Sequence, residues 1–219
     1  MNYQHITRRI IQFLVGLVVM ALGIVLMKRV DLGISPITCI PASLSNFTPL
    51  TIGNLTIILH VICVIGQVIT ERHFSVKNVL TMLVGFLFGY IIDGLMLLIH
   101  LDGLSLPMRF AVLVLGLACS GFGLLLTVST DVALPAPDGL SHTISQVYSK
   151  KLSNVKVISD AVYVSISIIL DLIFTGRISS AGIGTVLSVL LVGRFVGWFG
   201  KLLPRLKMDP FLPAVKARS

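Results

Sequence analysis

The chain states one pattern twice, about a hundred residues apart, and each statement holds three apolar spans. At an offset of 100, Gly16 coincides with Gly116, Gly23 with Gly123, Asp31 with Asp131 and Ser45 with Ser145. At an offset of 104, Ser75 coincides with Ser179, Thr81 with Thr185 and Gly89 with Gly193. Matches of Leu or Ile mean little in so apolar a chain, whereas matches of Gly, Asp, Ser and Thr carry information. Three is an odd number of crossings, so the second copy has to enter a bilayer from the opposite side. The expected fold is an all-α polytopic membrane protein. Its six transmembrane helices form two inverted three-helix repeats, each with a broken or re-entrant short helix after its first span. The first repeat covers residues 1–106, the second 107–203, and a basic tail 204–219. Inverted repeats of this kind are typical of secondary transporters, which bind substrate near the bilayer midplane where the repeats meet.

Composition agrees with a lipid environment. Mean hydropathy is +0.99, and 12% of residues are charged where soluble domains carry about 25%. A hydrocarbon core ~30 Å thick takes about 20 apolar helical residues. The sequence supplies such stretches at 10–28, 54–70, 79–99, 110–130, 157–175 and 180–199.

The formal charge of +8 is not a nucleic-acid signature, because its distribution is that of a membrane protein. With a cytoplasmic N-terminus, the inner segments hold Arg8, Arg9, Arg72, Lys77, Lys150, Lys151, Lys156, Lys201, Arg205, Lys207, Lys216 and Arg218. The outer segments hold Lys28, Arg29, Arg109 and Arg177, and Arg194 lies within the sixth span. That bias places both termini in the cytoplasm and allows contacts with anionic lipid head groups. The partners expected from composition are the lipid bilayer and no nucleic acid.

The N-terminus imitates a signal peptide, with Arg8-Arg9, an apolar run and Ala21-Leu22-Gly23. Residues 13–31 have a counterpart at 113–131, however, so the first span belongs to the fold. Cys39, Cys63 and Cys119 show no metal-type spacing and make no disulfide framework. No cofactor or metal is expected.

The connections after the first and fourth spans, 31–53 and 131–149, are too apolar for solvated loops and too rich in proline for full spans. Ser35-Pro36 and Pro137-Asp138-Gly139 each make a helix start. Two short helices dipping from opposite sides would turn their partly positive N-termini toward the midplane, where they suit an anionic group. Lying flat at the interface as amphipathic connectors is the alternative.

Two polar stripes accompany these segments. Thr56, His60, Cys63 and Gln67 share one face of the second span, and Asp160, Tyr163, Ser167 and Asp171 share one face of the fifth. An acidic residue at the centre of a membrane helix costs ~2.5–3.5 kcal/mol on insertion scales, so it faces a partner or water. Arg194 needs a carboxylate or an anionic substrate, with Asp138 and Asp160 as its candidate partners; a purely structural ion pair is the competing reading. Asp93 suits a structural pair with Lys28 or Arg29. His60 and His142 could carry protons in a coupled cycle, although a lone buried histidine is more often a packing residue. Gly85 with Gly89, and Gly193 with Gly197, would admit a close helix neighbour, for folding or for a homodimer.

The run Asp31-Leu32-Gly33-Ile34-Ser35-Pro36, the six spans and Asp138-Gly139 resemble the YczE/YyaS/YitT family of bacterial membrane proteins. The resemblance covers essentially the whole chain. It implies a multi-pass protein of the bacterial inner membrane, and it supplies neither a substrate nor catalytic residues.

The function expected is therefore a small secondary transporter for a small polar solute, zwitterionic or anionic, coupled to H+ or Na+. Ser35, Thr38, Thr56, His60, Asp138, His142, Asp160, Tyr163 and Arg194 are its candidate substrate-binding residues. There is no nucleotide-binding loop. HExxH and GxSxG are absent as well, so no catalytic residues and no enzyme activity are expected. A non-transporting scaffold or assembly partner is the alternative, its signature being Asp and Arg residues paired off internally.

Overall fold

The computed structural model describes residues 3–130 and 132–202, with side chains from residue 7 onward. Asp131 of the repeat pattern and the basic tail 204–219, with Arg205, Lys207, Lys216 and Arg218, lie outside the described residues.

The described residues form eight helices and no strands. These are α1 (Tyr3–Val30), α2 (Pro36–Leu44), α3 (Ile52–Glu71), α4 (Val76–Leu98), α5 (Leu106–Val128), α6 (Ala136–Val147), α7 (Leu152–Thr175) and α8 (Ile183–Leu202). Six of them are long and apolar enough to cross a membrane, and α2 and α6 are the short exceptions. The boundaries follow local chemistry. Proline enters α2 and α6 in the first turn, where its missing N–H costs nothing. Thr51 caps α3 by accepting from the Asn54 N–H at 3.1 Å. Arg72 and Gly176 end α3 and α7 in the left-handed conformation, with φ of 53° and 68°.

The two long helices α1 and α5 cross at the centre through four glycines. A Cβ on Gly23 would lie 2.5 Å from the Gly116 carbonyl oxygen, and one on Gly116 would lie 2.9 Å from that of Gly23. Gly16 and Gly123 stand in the same relation at 3.0 and 2.7 Å. The contacts pair low with high numbers, so the helices run antiparallel, backbone against backbone, as small residues permit. On one flank Phe13, Leu17, Ile24 and Val25 of α1 pack with Ile52, Val84, Phe88 and Ile92 from α3 and α4. On the other, Met27 and Val30 pack with Cys39, Ala42, Leu113 and Leu117 from α2 and α5.

Each short helix packs chiefly against a span from the other half of the chain, α2 on α7 and α6 on α3. α3 and α7 differ in how they meet the span that follows them. α3 packs closely along α4, where a Cβ on Gly89 would sit 2.6 Å from the Gly53 carbonyl oxygen. α7 and α8 scarcely touch. Gly193 and Gly197 have no atom within 4 Å of an added Cβ. The apolar cores of α7 and α8 are only 17% buried, against 50% for α3 and α5.

Candidate functional site

An ion triad stands where α6 begins. Asp138 sits in its first turn, where the helix dipole favours a carboxylate. The Lys156 ammonium, one turn into α7, lies 2.8 Å from Asp138 Oδ1 and 2.9 Å from Asp160 Oδ1. Lys156 and Asp160 are four residues apart and therefore neighbours on one helix face. Two carboxylates share one ammonium, and all three side chains are largely withdrawn from solvent.

The triad borders a cavity of about 250 Å³. Ser35, Pro36 and Ile37 at the start of α2 line it together with Asp138, so the first turns of both short helices meet there. Apolar side chains, among them Met20, Ile24, Leu124 and Val192, make most of the remaining wall. Ser120 of α5 also lines it; this residue is 6% exposed, and its hydroxyl has no hydrogen-bond partner.

A second, more polar cavity of about 420 Å³ lies between α3, α4 and α6, lined by Gln67, Glu71, Lys77, Thr81, His142 and Gln146. Burial and the nearby Lys77 hold the His142 imidazole below its ordinary value, with Glu71 acting in the other direction. Asp138 lines the first cavity and Gly139 the second. The first turn of α6 is thus the wall between them. Gln67 holds that wall by donating to the Ala136 carbonyl at 2.8 Å.

The opposite end of the bundle is closed. Asp171 is fully buried and accepts hydrogen bonds from the Ser43 hydroxyl and from the N–H and hydroxyl groups of Ser179 and Ser180. Alongside, the Gly184 N–H donates to the Leu32 carbonyl at 2.7 Å. Gly33, at φ 102°, fits so closely that an added Cβ would lie 2.6 Å from the Gly182 nitrogen.

Of the residues proposed from sequence, Ser35, Asp138 and Asp160 meet at the smaller cavity and His142 borders the larger. Thr38, Thr56, His60, Tyr163 and Arg194 line neither. Thr38 and Thr56 donate back to the Ser35 and Ile52 carbonyls, each along its own helix. His60 Nδ1 lies 2.8 Å from the Thr56 carbonyl oxygen, and its ring packs against Gly85 and Phe88. The Tyr163 hydroxyl meets the Cys63 sulfur at 3.6 Å. Arg194 is exposed on α8, and the cation that Asp138 and Asp160 hold is Lys156 instead. From sequence, Lys156 reads as part of a solvated connection; its i, i+4 spacing to Asp160 is the available signal. Asp93 accepts from the Thr51 hydroxyl and the Gly53 N–H rather than from Lys28 or Arg29. It holds the start of α3, while Arg29 donates to the Met96 carbonyl.

Among the described residues no group of His, Cys, Asp and Glu is placed to hold a metal ion. These features define an all-helical, multi-pass membrane protein with a charged internal cavity. The chain belongs to DUF6198, a family of unknown function whose model matches residues 7–201. That match does not extend to the YczE/YyaS/YitT family, for which the short motifs remain the basis. No curated protein and no solved structure matches the chain.

Proposed function

We propose that this protein is a small secondary transporter of a bacterial cell membrane, with both termini cytoplasmic, built as two inverted repeats around the smaller cavity. One observation carries the reading: the first turns of α2 and α6, which occupy equivalent places in the two halves, meet at the same cavity beside an ion triad. The reciprocal glycine crossing of α1 and α5 supports the repeat, since Gly23 meets Gly116, the counterpart of Gly16, and Gly16 meets Gly123, the counterpart of Gly23. Helix starts facing a cavity, in discontinuous segments of opposite entry, are how such transporters bind a solute without spanning polar loops in lipid.

In this mechanism the larger cavity is the cytoplasmic vestibule and α6 is the thin gate between it and the site. α2 is the outer gate, latched by Asp171. The position of Asp171 in the second half is that of Gln67 in the first, so each gate is held by the equivalent residue of the opposite half. Asp171 takes one hydrogen bond from α2, through Ser43, and four from Ser179 and Ser180 before α8, so the outer latch ties the gate to two elements where Gln67 ties it to one. Ser35 and Asp138 bind the solute, and Asp160 and Lys156 exchange partners as it or a coupling H+ or Na+ enters.

The internal pairing of Asp138 and Asp160 with Lys156 also fits a non-transporting scaffold, in which the triad only fixes helix packing. A thermal-shift screen of small solutes on purified protein separates the two, with Asp138→Asn and Asp160→Asn beside wild type. Transport predicts a solute that stabilises wild type and neither variant, with both variants folded. A scaffold predicts no stabilising solute and two unfolded variants.

A further inference from the structure

We infer that the solute is an amphiphilic monovalent cation and that it reaches the smaller cavity sideways, from the bilayer, through the gap between α7 and α8. This inference rests on the transporter reading and names its substrate class and route. The charge comes first. Asp138 and Asp160 share the single ammonium of Lys156, which leaves one formal negative charge at the cavity, only partly offset by the helix start that carries Asp138, to be matched by a cation. Arg194, which would have offset it, is exposed elsewhere on α8. Most of the remaining wall, including Met20, Ile24, Leu124 and Val192, is apolar and suits the aliphatic part of such a cation.

The route follows from the asymmetry of the halves. The cavity wall includes Val157 of α7 and Val189 and Gly193 of α8, and all three are exposed. They flank a mouth where the two helices scarcely meet. The counterpart of Gly193 is Gly89, which is sealed against Gly53 and Ile57, so the first half has no such mouth. With lipid around the bundle, the mouth opens on acyl chains. A charged head can then sit at the triad while its alkyl tail stays in the gap and the bilayer, and no tail volume need fit inside the cavity.

The test is equilibrium binding of radiolabelled tetramethylammonium and decyltrimethylammonium to the full chain in phosphatidylcholine nanodiscs, with empty discs subtracted. Apparent aqueous affinity should rise by roughly a factor of four for each of the first methylenes in the series. Asp160→Asn should weaken decyltrimethylammonium at least about tenfold, the loss of one close opposite charge. Gly193→Trp, which fills the mouth where nothing lies within 4 Å, should abolish it at an unchanged melting temperature. Val189→Phe serves the same purpose should the tryptophan variant fail to fold. Equal binding of both cations, unaffected by either mouth variant but lost in Asp160→Asn, would overturn the lateral route and the amphiphile while leaving the transporter site standing. Binding of neither cation, with an anionic solute bound through Lys156, would overturn the cation class. A dimer across α7 and α8 that Gly193→Trp dissociates, with no cation bound, would also overturn the proposal and give the gap to a second copy.

Discussion

The Ser43 hydroxyl of α2 donates to Asp171 of α7 at 2.6 Å, across 128 residues of sequence. Ser179 and Ser180 add four hydrogen bonds to the same carboxylate, and the residue is fully buried. A buried carboxylate surrounded by hydroxyl and N–H donors is stable only as long as those donors stay in place. This one joins the short helix, the fifth span and the start of the sixth.

Asp171→Ala should therefore destabilise the protein strongly. Hydrogen bonds to a charged group are worth about 1.5–3 kcal/mol each, and leaving their donors unpaired forfeits several of them. A loss of about 3 kcal/mol corresponds to a fall of roughly 6–12 °C in melting temperature for a chain of this size. Asp171→Asn, which keeps an acceptor, should fall by less. A scanning melt of the two variants checks the order.

The two small-residue pairs on α1 and α5 should behave unlike the pair on α8. Gly23→Val and Gly123→Val each place a branched side chain within 3 Å of a facing backbone, and both should fail to fold or melt at least several degrees lower. Gly197→Val meets open space and should melt within a degree or two of wild type. Parallel melts of the three variants decide it. A Gly197→Val protein as damaged as Gly23→Val would mean that α8 is packed in a way the present arrangement does not contain.

Much of this is legible in the sequence, for reasons that hold residue by residue. Hydropathy places six spans because a bilayer imposes length, and each observed helix overlaps its stretch, although α4 stops at Leu98, α5 at Val128 and α8 begins only at Ile183. Ser35-Pro36 marks the start of α2 because the fixed φ of a first-turn proline is a local constraint, although the Ser35 side chain makes no capping hydrogen bond. The glycines coincident at an offset of 100 are the ones that meet at the α1–α5 crossing. Ion pairing is not legible in the same way. Arg194 is central in sequence, but which helix face is buried depends on neighbours that periodicity does not reveal. Lys156 reads as solvated because it follows Lys150 and Lys151, and only the arrival of α6 turns it into a partner for Asp138. The polar stripe on α3 is buried as expected, yet Thr56 and His60 bond within their own helix and do not line a cavity.

Lys156 and Arg194 give a direct contrast. Lys156→Gln leaves Asp138 and Asp160 facing each other without a cation; because the lysine side chain is 35% exposed, the loss should fall below the about 3–5 kcal/mol that removing one partner of a fully buried pair costs. Adding Asp160→Asn should restore most of the loss, because the surplus negative charge goes with it. Arg194→Gln should change melting by no more than a surface substitution does, about 0.5 kcal/mol. Melting curves of the double variant and its two parents provide the cycle.

The most direct test of the transport account needs no substrate. Ser35, beside the triad, is replaced by Cys in a chain whose Cys39, Cys63 and Cys119 are replaced by Ala, and the vesicles are treated with a membrane-impermeant maleimide from either face. The account predicts labelling from the cytoplasmic face alone, through the larger cavity, and labelling from both faces once Asp171→Asn loosens the outer latch. Absence of labelling from either face in both backgrounds would contradict it, leaving the triad as a packing device and the protein as a scaffold.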